Sequence, residues 1–299
     1  MFKTPQLSYL IFASPKSGTT WLQLLLSAHP EMVCTESRAF GNYYHPNPLS
    51  NPHLTVEKYV GILNTYFAPR HPALNAPELG FQKNLLFNFM DTLAQTTLLA
   101  LNKRVYGEKL TPFRGTATGA IQTLSEYNPN VKFINLVRDG RDVVVSGAAQ
   151  WLNHRLRAAA EAEKPKWAEA IEKRVVTQED FDLFIDLWTD AVAAGLSAKS
   201  LFKNYLQLRY EDYLANSFQQ TRQLFEFLQV DSSDAVVRAC VEAASFEKLS
   251  GGRSRGSEDS KNFFRKGVSG DWRNWFTDEQ TQMFAEKAGH LLVEAGYAP

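Results

Sequence analysis

The 299-residue sequence has little cysteine, no excess of either charge and no long hydrophobic run. Its two cysteines, Cys34 and Cys240, are too few for a disulfide framework, a usage typical of a reducing compartment. The 32 basic residues balance the 32 acidic ones, so bulk charge favours neither nucleic acid nor an anionic membrane as a partner. No segment approaches the roughly 18 apolar residues that cross a bilayer, and no signal-peptide pattern opens the chain. These absences predict a soluble cytoplasmic protein.

Candidate strands alternate with candidate helices along the chain. Apolar runs at 9–12 and 131–137 predict two buried strands, and YLQLRYEDY predicts a third strand that ends in polar residues. Helices are predicted at about 141–152, 155–175, 181–201, 214–229 and 233–243. This alternation is typical of an α/β fold with a doubly wound parallel sheet flanked by helices, in which ligands bind beyond the carboxyl ends of the strands.

We interpret the chain, 1–299, as one domain with two less regular stretches. Residues 40–90 are rich in proline, histidine and aromatic side chains, a composition typical of lids and substrate walls. The Gly/Ser-rich segment LSGGRSRGSEDS predicts a mobile loop at about 250–264 that covers a bound cofactor.

The stretch ASPKSGTTW, residues 13–21, lies between the first predicted strand and a helix start. Such a turn is an anion site because unpaired backbone N–H groups converge there, and Thr19 or Thr20 is the expected helix cap. Against the G-x-x-x-x-G-K-[ST] loop of nucleotide triphosphatases, Gly18 and Thr20 are in register, whereas Lys16 comes three residues early. The pattern predicts a P-loop-like phosphate site with a displaced lysine.

The second predicted strand also departs from the triphosphatase pattern. Those enzymes place a magnesium-binding aspartate at the end of a neighbouring strand. Here the strand at 131–137 is followed by Arg138. A guanidinium contacts an anion directly and does not ligate a metal. Both departures predict a phosphate site that needs no metal ion.

Five segments, in order, resemble sulfotransferases that use 3′-phosphoadenylyl sulfate (PAPS). PKSGTTW resembles their 5′-phosphosulfate loop, and VRDGRDVVVSGAAQW resembles their 3′-phosphate segment. YED, SFEKL and FFRKGVSGDWRNWFT resemble segments of cytosolic sulfotransferases that contact the adenine and the 3′-phosphate. The matches run from residue 9 to about 277, so the chain is identified as a member of this family.

The resemblance implies a set of residues for PAPS and for its product, adenosine 3′,5′-bisphosphate (PAP). Two separated phosphate sites would exclude ATP, two aromatic planes would enclose the adenine, and the early lysine would stabilise the leaving oxygen. The implied cofactor-binding residues are Lys16, Ser17, Gly18, Thr19, Thr20, Trp21, Arg138, Ser146, Tyr210, Ser245, Phe246, Arg265, Lys266 and Gly267.

Each part of this set also has an ordinary structural interpretation. The loop could be a plain glycine turn, and Arg138 could pair with Asp139 or Asp142 at a helix start. The aromatic residues could pack in the core, and the basic pair could be solvated.

The general base is implied by partial resemblances. The histidine of the Lys-x-His-x-Pro segment of cytosolic sulfotransferases has no counterpart in GEKLTPF, residues 107–113. AHPEMVCTESR resembles the tyrosylprotein sulfotransferase segment whose glutamate is the base, which implies Glu36, with Glu108 second and His154 third. The Glu-Lys pair also resembles a segment of heparan sulfotransferases, which implies that Lys109 lines the site.

The implied function is transfer of sulfonate from PAPS to a hydroxyl or amine acceptor. The alternatives are a catalytically inactive protein that binds PAP or PAPS, and a P-loop kinase. The aromatic stretch suits a small-molecule acceptor such as a phenol, a lipid or a sugar. Asp278 and Gln282 replace the valine and glutamate of the dimer patch of cytosolic sulfotransferases, so we expect a monomer or a different dimer.

Overall fold

The computed structural model describes residues 6–36, 65, 70, 81–260 and 262–299. Its strands form one five-stranded sheet in which every pair is parallel, in the order β2-β3-β1-β4-β5. The strands are β1 Leu7–Phe12, β2 Met32–Glu36, β3 Val105–Leu110, β4 Lys132–Val137 and β5 Asn204–Arg209. The predicted α/β fold with a parallel sheet flanked by helices is confirmed.

Helices follow the strands on both faces of the sheet. In chain order the described residues form α1 Thr19–Ser27, α2 Phe81–Leu101, α3 Ala117–Tyr127, α4 Gly140–Ala158, α5 Lys164–Glu172, α6 Gln178–Ser197, α7 Tyr210–Leu228, α8 Asp234–Ala243, α9 Phe246–Leu249 and α10 Asp278–Glu294, with 3-10 turns at Ala198–Ser200 and Asp271–Asn274. In that part of the chain, none of the helices combines the length and the apolar character that spanning a bilayer requires.

Three parts of the fold differ from the sequence-based expectation. Strands β2 and β3 are not predicted, because buried charged residues such as Glu108 and Lys109 interrupt the apolar pattern. Residues 81–90, placed in the irregular stretch 40–90, belong to α2. The rest of that stretch, residues 65 and 70 apart, lies outside the described residues.

Alternate side chains of the strands face two helical layers. On one face Phe12 and Phe133, whose ring centroids are 5.5 Å apart, pack with α2 and α3. On the other face Ile11 and Leu136 pack with α1, α7 and α8. Both faces are covered, and therefore the strands β1 and β4 read as continuous apolar runs.

A third cluster, formed by α4, α6 and α10, lies beside the sheet. Trp188 of α6 packs against Phe284 of α10, with ring centroids 5.8 Å apart. The Nε1 of Trp188 donates a hydrogen bond to the carbonyl oxygen of Arg138 at 3.0 Å. This bond fixes the residue that directly follows β4.

The strand order creates a crevice between the carboxyl ends of β1 and β4. The chain leaves β1 through α1 towards β2 on one side, and it leaves β4 through α4 and α6 towards β5 on the other. Ligands of open parallel sheets bind where the connections diverge in this way. The segment 13–18 and Arg138 both lie at this point.

Candidate active site

The loop between β1 and α1 brings backbone N–H groups to the carboxyl edge of the sheet. Lys16 and Gly18 have left-handed backbones, with φ of 68° and 91°. Gly18 is the N-cap of α1, without a side-chain cap from any described residue, so the cap predicted at Thr19 or Thr20 is wrong. Since no side chain caps them, the first N–H groups of α1 are available to an anion.

Glycine is required at position 18 by its backbone and by its neighbour. A Cβ at Gly18 would lie 2.7 Å from Cδ2 of Tyr210, the first residue of α7. A φ of 91° is also a conformation that other residues rarely adopt. The loop therefore packs closely on the ring of Tyr210.

Arg138, directly after β4, joins the loop to the C-terminal part of the chain. Its Nη1 donates to the carbonyl oxygen of Lys16 at 3.0 Å, and its Nη2 donates to that of Val268 at 3.2 Å. The guanidinium carbon lies 4.7 Å from the ring centroid of Tyr210. Its Nε is buried and has no hydrogen-bond partner within the part of the chain that the structure describes.

The acidic residues beside Arg138 have other partners. Asp139 pairs with Arg141 at 2.9 Å, and Asp142 accepts hydrogen bonds from two backbone N–H groups of the segment 270–272. Burial raises the pKa of Asp142, although the charge of Arg138 opposes this. Arg138 instead donates hydrogen bonds to carbonyl oxygens, so its positive charge is not neutralised by Asp139 or Asp142.

Trp21 and Phe246 are among the aromatic side chains that line the same pocket as the loop. Trp21 of α1 donates Nε1 to the carbonyl oxygen of Ala244 at 2.8 Å, and Phe246 begins α9. A Cβ at Gly267 would lie 2.5 Å from the ring of Phe246, so the backbone there approaches the ring closely. Ser245 caps α9 by accepting a backbone hydrogen bond of that helix, and its side chain is engaged there.

Lys16 reaches from the loop to α4. Its Nζ donates to Oε1 of Gln150 at 2.6 Å and lies 4.8 Å from the ring centroid of Phe263. Burial, together with the positive charges of Arg138 and Arg265, lowers the pKa of Lys16 to about 8. A bound anion would offset these charges and restore the charged form of the lysine.

Arg265 and Lys266 line the pocket and already have carboxylate partners. Arg265 pairs with Glu258 and Asp271, and Lys266 donates to Asp271 at 2.6 Å. The preceding loop is held by Arg253, whose guanidinium donates to the carbonyl oxygen of Arg265 at 2.9 Å. The predicted mobility of residues 250–264 stays a prediction.

Glu36 and Lys109 end β2 and β3 and lie side by side on one face of the sheet. They are register partners, with 3.7 Å between Oε1 of Glu36 and Nζ of Lys109. Lys109 also donates to Oγ1 of Thr20 at 3.3 Å, which ties this pair to the start of α1. A carboxylate and an ammonium therefore lie next to the loop between β1 and α1.

Glu108 projects from the opposite face of β3. Its side chain is almost fully buried, with 1% of its surface exposed, and its Oε1 accepts a hydrogen bond from the hydroxyl of Tyr106 at 2.8 Å. His154 is exposed on α4, where its ring contacts Trp151. Of the three residues considered as base, Glu36 is the one that lines the pocket.

Residues 8–292 match the sulfotransferase domain family. The chain belongs to this family. It is 27% identical over 183 residues to sulfotransferase 2A1 of Homo sapiens, an alignment that covers 57% of this chain and 61% of that protein. It is 23% identical over 323 residues to cytosolic sulfotransferase 11 of Arabidopsis thaliana, covering 99% of this chain and 75% of that protein. The chain spans little more than half the length of the mammalian relatives that it matches.

The fold is similar to that of mouse sulfotransferase SULT7A1, whose structure was solved in complex with PAP. The TM-score is 0.56 and the identity 19%, with 98% of this chain and 86% of that chain covered. At this identity the likeness shows that the two proteins share the sulfotransferase fold.

The pocket beside the loop brings together the predicted site residues except Ser17, Glu108 and Ser245. The predicted residues that line it are Lys16, Gly18, Thr19, Thr20, Trp21, Glu36, Lys109, Arg138, Ser146, Tyr210, Phe246, Arg265, Lys266 and Gly267. Ser17 is buried beneath the loop, where its Oγ lies 2.7 Å from that of Ser14. The roles predicted for all of these site residues stay predictions.

Sequence reasoning missed ten of the described residues that line this pocket, among them Gln150, Arg255 and Phe263. Gln150 lies one helical turn after Ser146 on α4, so the i,i+4 spacing could have indicated a shared face. Arg255 and Phe263 belong to the irregular segment before Arg265, where no periodicity indicates which side chains turn inward.

Proposed function

We propose that this chain transfers the sulfonate group of PAPS to a hydroxyl or amine of a small-molecule acceptor. One observation carries the proposal: a single pocket contains a helix N-terminus, a separate group of cations and several aromatic side chains, Trp21 and Phe246 among them. Phosphate groups bind at helix N-termini and to arginine, and a base ring binds between apolar planes. A nucleotide with anionic groups at two ends suits this combination.

The residues present fit such a ligand. Lys16, Lys109 and Arg138 supply cationic hydrogen-bond donors around the loop. The buried Nε of Arg138 has no hydrogen-bond partner among the described residues and is therefore a further donor. Close packing at Gly18, where a side chain would meet Tyr210, allows backbone N–H groups to approach an anion. In this proposal the loop and Lys16 hold the phosphosulfate, while Arg138, Ser146, Arg265 and Lys266 hold the 3′-phosphate.

PAPS, when bound, would supply an activated sulfonate whose leaving group is the 5′-phosphate of PAP. Glu36 would accept the proton of the acceptor as the new oxygen–sulfur or nitrogen–sulfur bond forms. Lys16, in its charged form, would stabilise the negative charge that develops on the bridging oxygen as the old bond breaks. Lys109, between Glu36 and Thr20, would orient the sulfonate or the acceptor.

Geometry supports Glu36 over Glu108 as the base. The two residues lie on opposite faces of the sheet, and the Glu36 carboxylate shares a face with Lys109 and the loop. The Glu108 carboxylate accepts a hydrogen bond from Tyr106 in the interior. We propose a phenol, lipid, natural product or sugar as acceptor and the cytoplasm as the compartment, which the free thiols of Cys34 and Cys240 support.

The decisive experiment measures PAP formed from PAPS with a panel of phenols, alcohols and sugars. Sulfonated product with at least one acceptor, lost in Lys16→Ala, is the expected outcome. A melting temperature raised by PAP but not by ATP or AMP would support the two phosphate sites. PAP binding without turnover on any acceptor would favour an inactive binding protein, and magnesium-dependent phosphoryl transfer from ATP would favour a kinase.

A further inference from the structure

Two carboxylates neutralise the two cations that close the pocket. Oδ2 of Asp271 lies 2.6 Å from Nη2 of Arg265, and Oδ1 of Asp271 lies 2.6 Å from Nζ of Lys266. Glu258 pairs with Nη1 of Arg265, and its Oε2 lies 3.9 Å from Nζ of Lys266. Two positive and two negative charges leave the cluster without a net charge, so an anionic ligand gains little from it until a carboxylate withdraws.

Asp271 is the fixed member of this cluster. Its side chain is 2% exposed, and it also accepts a hydrogen bond from Nδ2 of Asn274 at 3.0 Å. Burial would raise the pKa of Asp271, but the hydrogen bonds from Lys266, Asn274 and Arg265 outweigh it and hold the pKa well below its usual range. Asp142 binds the backbone on both sides of Asp271, so this carboxylate has no freedom to leave.

Glu258 is the exchangeable member. It lies in the loop before Arg265, its side chain is 25% exposed, and it has a second cationic partner outside the pocket. That partner is Arg174, which follows α5 and whose Nη2 lies 3.3 Å from Oε2 of Glu258. Glu258 can therefore release Arg265 without being left unpaired.

We propose that Glu258 is an internal anion that occupies Arg265 and Lys266 until the 3′-phosphate of the nucleotide replaces it, while Arg174 retains the displaced carboxylate. A phosphate with up to two negative charges compensates both cations more fully than a carboxylate does, whereas a 3′-hydroxyl has no charge with which to displace it. The inference rests on the proposed function, because it assumes a nucleotide with a 3′-phosphate. As a consequence of this competition, Glu258 lowers the affinity of the protein for the product PAP.

Isothermal titration calorimetry with PAP and with AMP tests this exchange. Glu258→Gln should bind PAP about 3- to 30-fold more tightly than wild type, the scale of one charge-assisted hydrogen bond. Its affinity for AMP should stay within about twofold of wild type, because AMP lacks the group that competes with Glu258. Glu247→Gln removes the same charge from an exposed position on neighbouring α9 and should leave both affinities unchanged.

Arg174 supplies a second, independent readout. Arg174→Ala should weaken PAP binding at least threefold, although Arg174 does not line the pocket, because Glu258 then loses its alternative partner. In the Glu258→Gln background the same substitution should have no effect, so the double-mutant cycle should show coupling between the two positions. Additive effects would overturn the proposal.

Weaker or unchanged PAP binding in Glu258→Gln would also overturn it, since a purely structural ion pair would give that result. Circular dichroism and the melting temperature establish that each variant is folded, and Glu258→Ala replaces Glu258→Gln if the latter is not. A wild-type protein that binds PAP no better than AMP would instead contradict the proposed function. The two failures are thus distinguishable.

Discussion

Glu36 and Lys109 stand opposite each other in the parallel ladder between β2 and β3, with 3.7 Å between carboxylate oxygen and ammonium nitrogen. Each is the last or nearly the last residue of its strand, and both face the loop that begins α1. A carboxylate and an ammonium are thus held side by side at the ends of two paired strands.

The first prediction concerns the base. Glu36→Gln keeps the size of the side chain but cannot accept a proton, so turnover of an alcohol acceptor should fall about 10²- to 10⁴-fold. The affinity for PAP, measured by calorimetry, should be nearly unchanged. Turnover of an acidic phenol should fall less, because such an acceptor gives up its proton more readily.

Glu108→Gln is the matched control for this measurement. Its amide can still accept the hydrogen bond from Tyr106, so we expect near-normal turnover. If Glu108→Gln were inactive and Glu36→Gln active, Glu108 would be the base. If both variants kept full activity, deprotonation would depend on another group.

The second prediction concerns the pH dependence of PAP binding. The pKa of Lys16 is about 8 in the ligand-free protein, and a bound anion should raise it because it stabilises the charged form. Between about pH 7, where the phosphates of PAP are still fully charged, and pH 8, PAP affinity should be nearly constant. Above pH 8 it should fall by up to about tenfold per pH unit, until the pH reaches the pKa of Lys16 in the complex. Calorimetry in two buffers of different ionisation enthalpy should detect proton uptake near pH 8.

Lys16→Arg is the control, because a guanidinium stays charged across this range. Its PAP affinity should lack the decline between about pH 8 and pH 10. A wild-type profile that stays flat over the same interval would contradict the assignment of Lys16 to the phosphosulfate site.

The third prediction concerns Arg138, which replaces the metal-binding aspartate expected at the end of a P-loop strand. We expect full turnover of PAPS in excess EDTA, because a cation already occupies this place. Activity that disappears in EDTA and returns with Mg²⁺ would overturn the metal-free interpretation.

The fourth prediction is that Arg138→Ala weakens PAP binding by about 1.5–3 kcal/mol, the scale of a hydrogen bond to a charged group. Calorimetry should show this loss together with a lower melting temperature, since the hydrogen bonds to Lys16 and Val268 disappear as well. AMP, which lacks the 3′-phosphate, should lose less affinity than PAP. An equal loss for both nucleotides would place Arg138 elsewhere.

The fifth prediction compares two glycines. Gly18→Ala should destabilise the fold by about 1–3 kcal/mol in urea denaturation, because its positive φ and the ring of Tyr210 both oppose a side chain. Gly289 lies inside α10, and a Cβ added there would meet no described atom within 4 Å, so Gly289→Ala should be more stable than wild type by about 0.5–1 kcal/mol. A neutral Gly18→Ala would show that the loop relaxes freely.

The turn between β1 and α1 could be predicted from the sequence because its determinants are local. An apolar strand, a turn with Gly18 and a helix start follow each other within a short stretch, and Arg138 follows a second apolar run in the same way. Because both units follow parallel strands, the sequence also predicts that the loop and Arg138 lie at the same edge of the sheet. The prediction that Trp21 and Phe246 line one site required the family resemblance, because the two residues lie on helices that are far apart in the sequence.

Other parts of the site could not be predicted because they depend on long-range pairing. Glu108 and Lys109 are adjacent in sequence, but only the register of β2 with β3 decides which of them faces the pocket. The hydrogen bond between Lys16 and Gln150 joins residues 134 positions apart. The partners of Arg265 lie in an irregular loop, where no periodicity marks the side chains that converge.

The guanidinium of Arg138 joins the carbonyl oxygens of Lys16 and Val268. A chain leaves the ribosome with its N-terminal part first. Lys16 is therefore synthesised long before Val268. A nascent chain that already contains the loop and its strand still lacks one side of the pocket until Val268 has emerged. A nucleotide bound as proposed would therefore stabilise the protein only once nearly all of the described chain has been made.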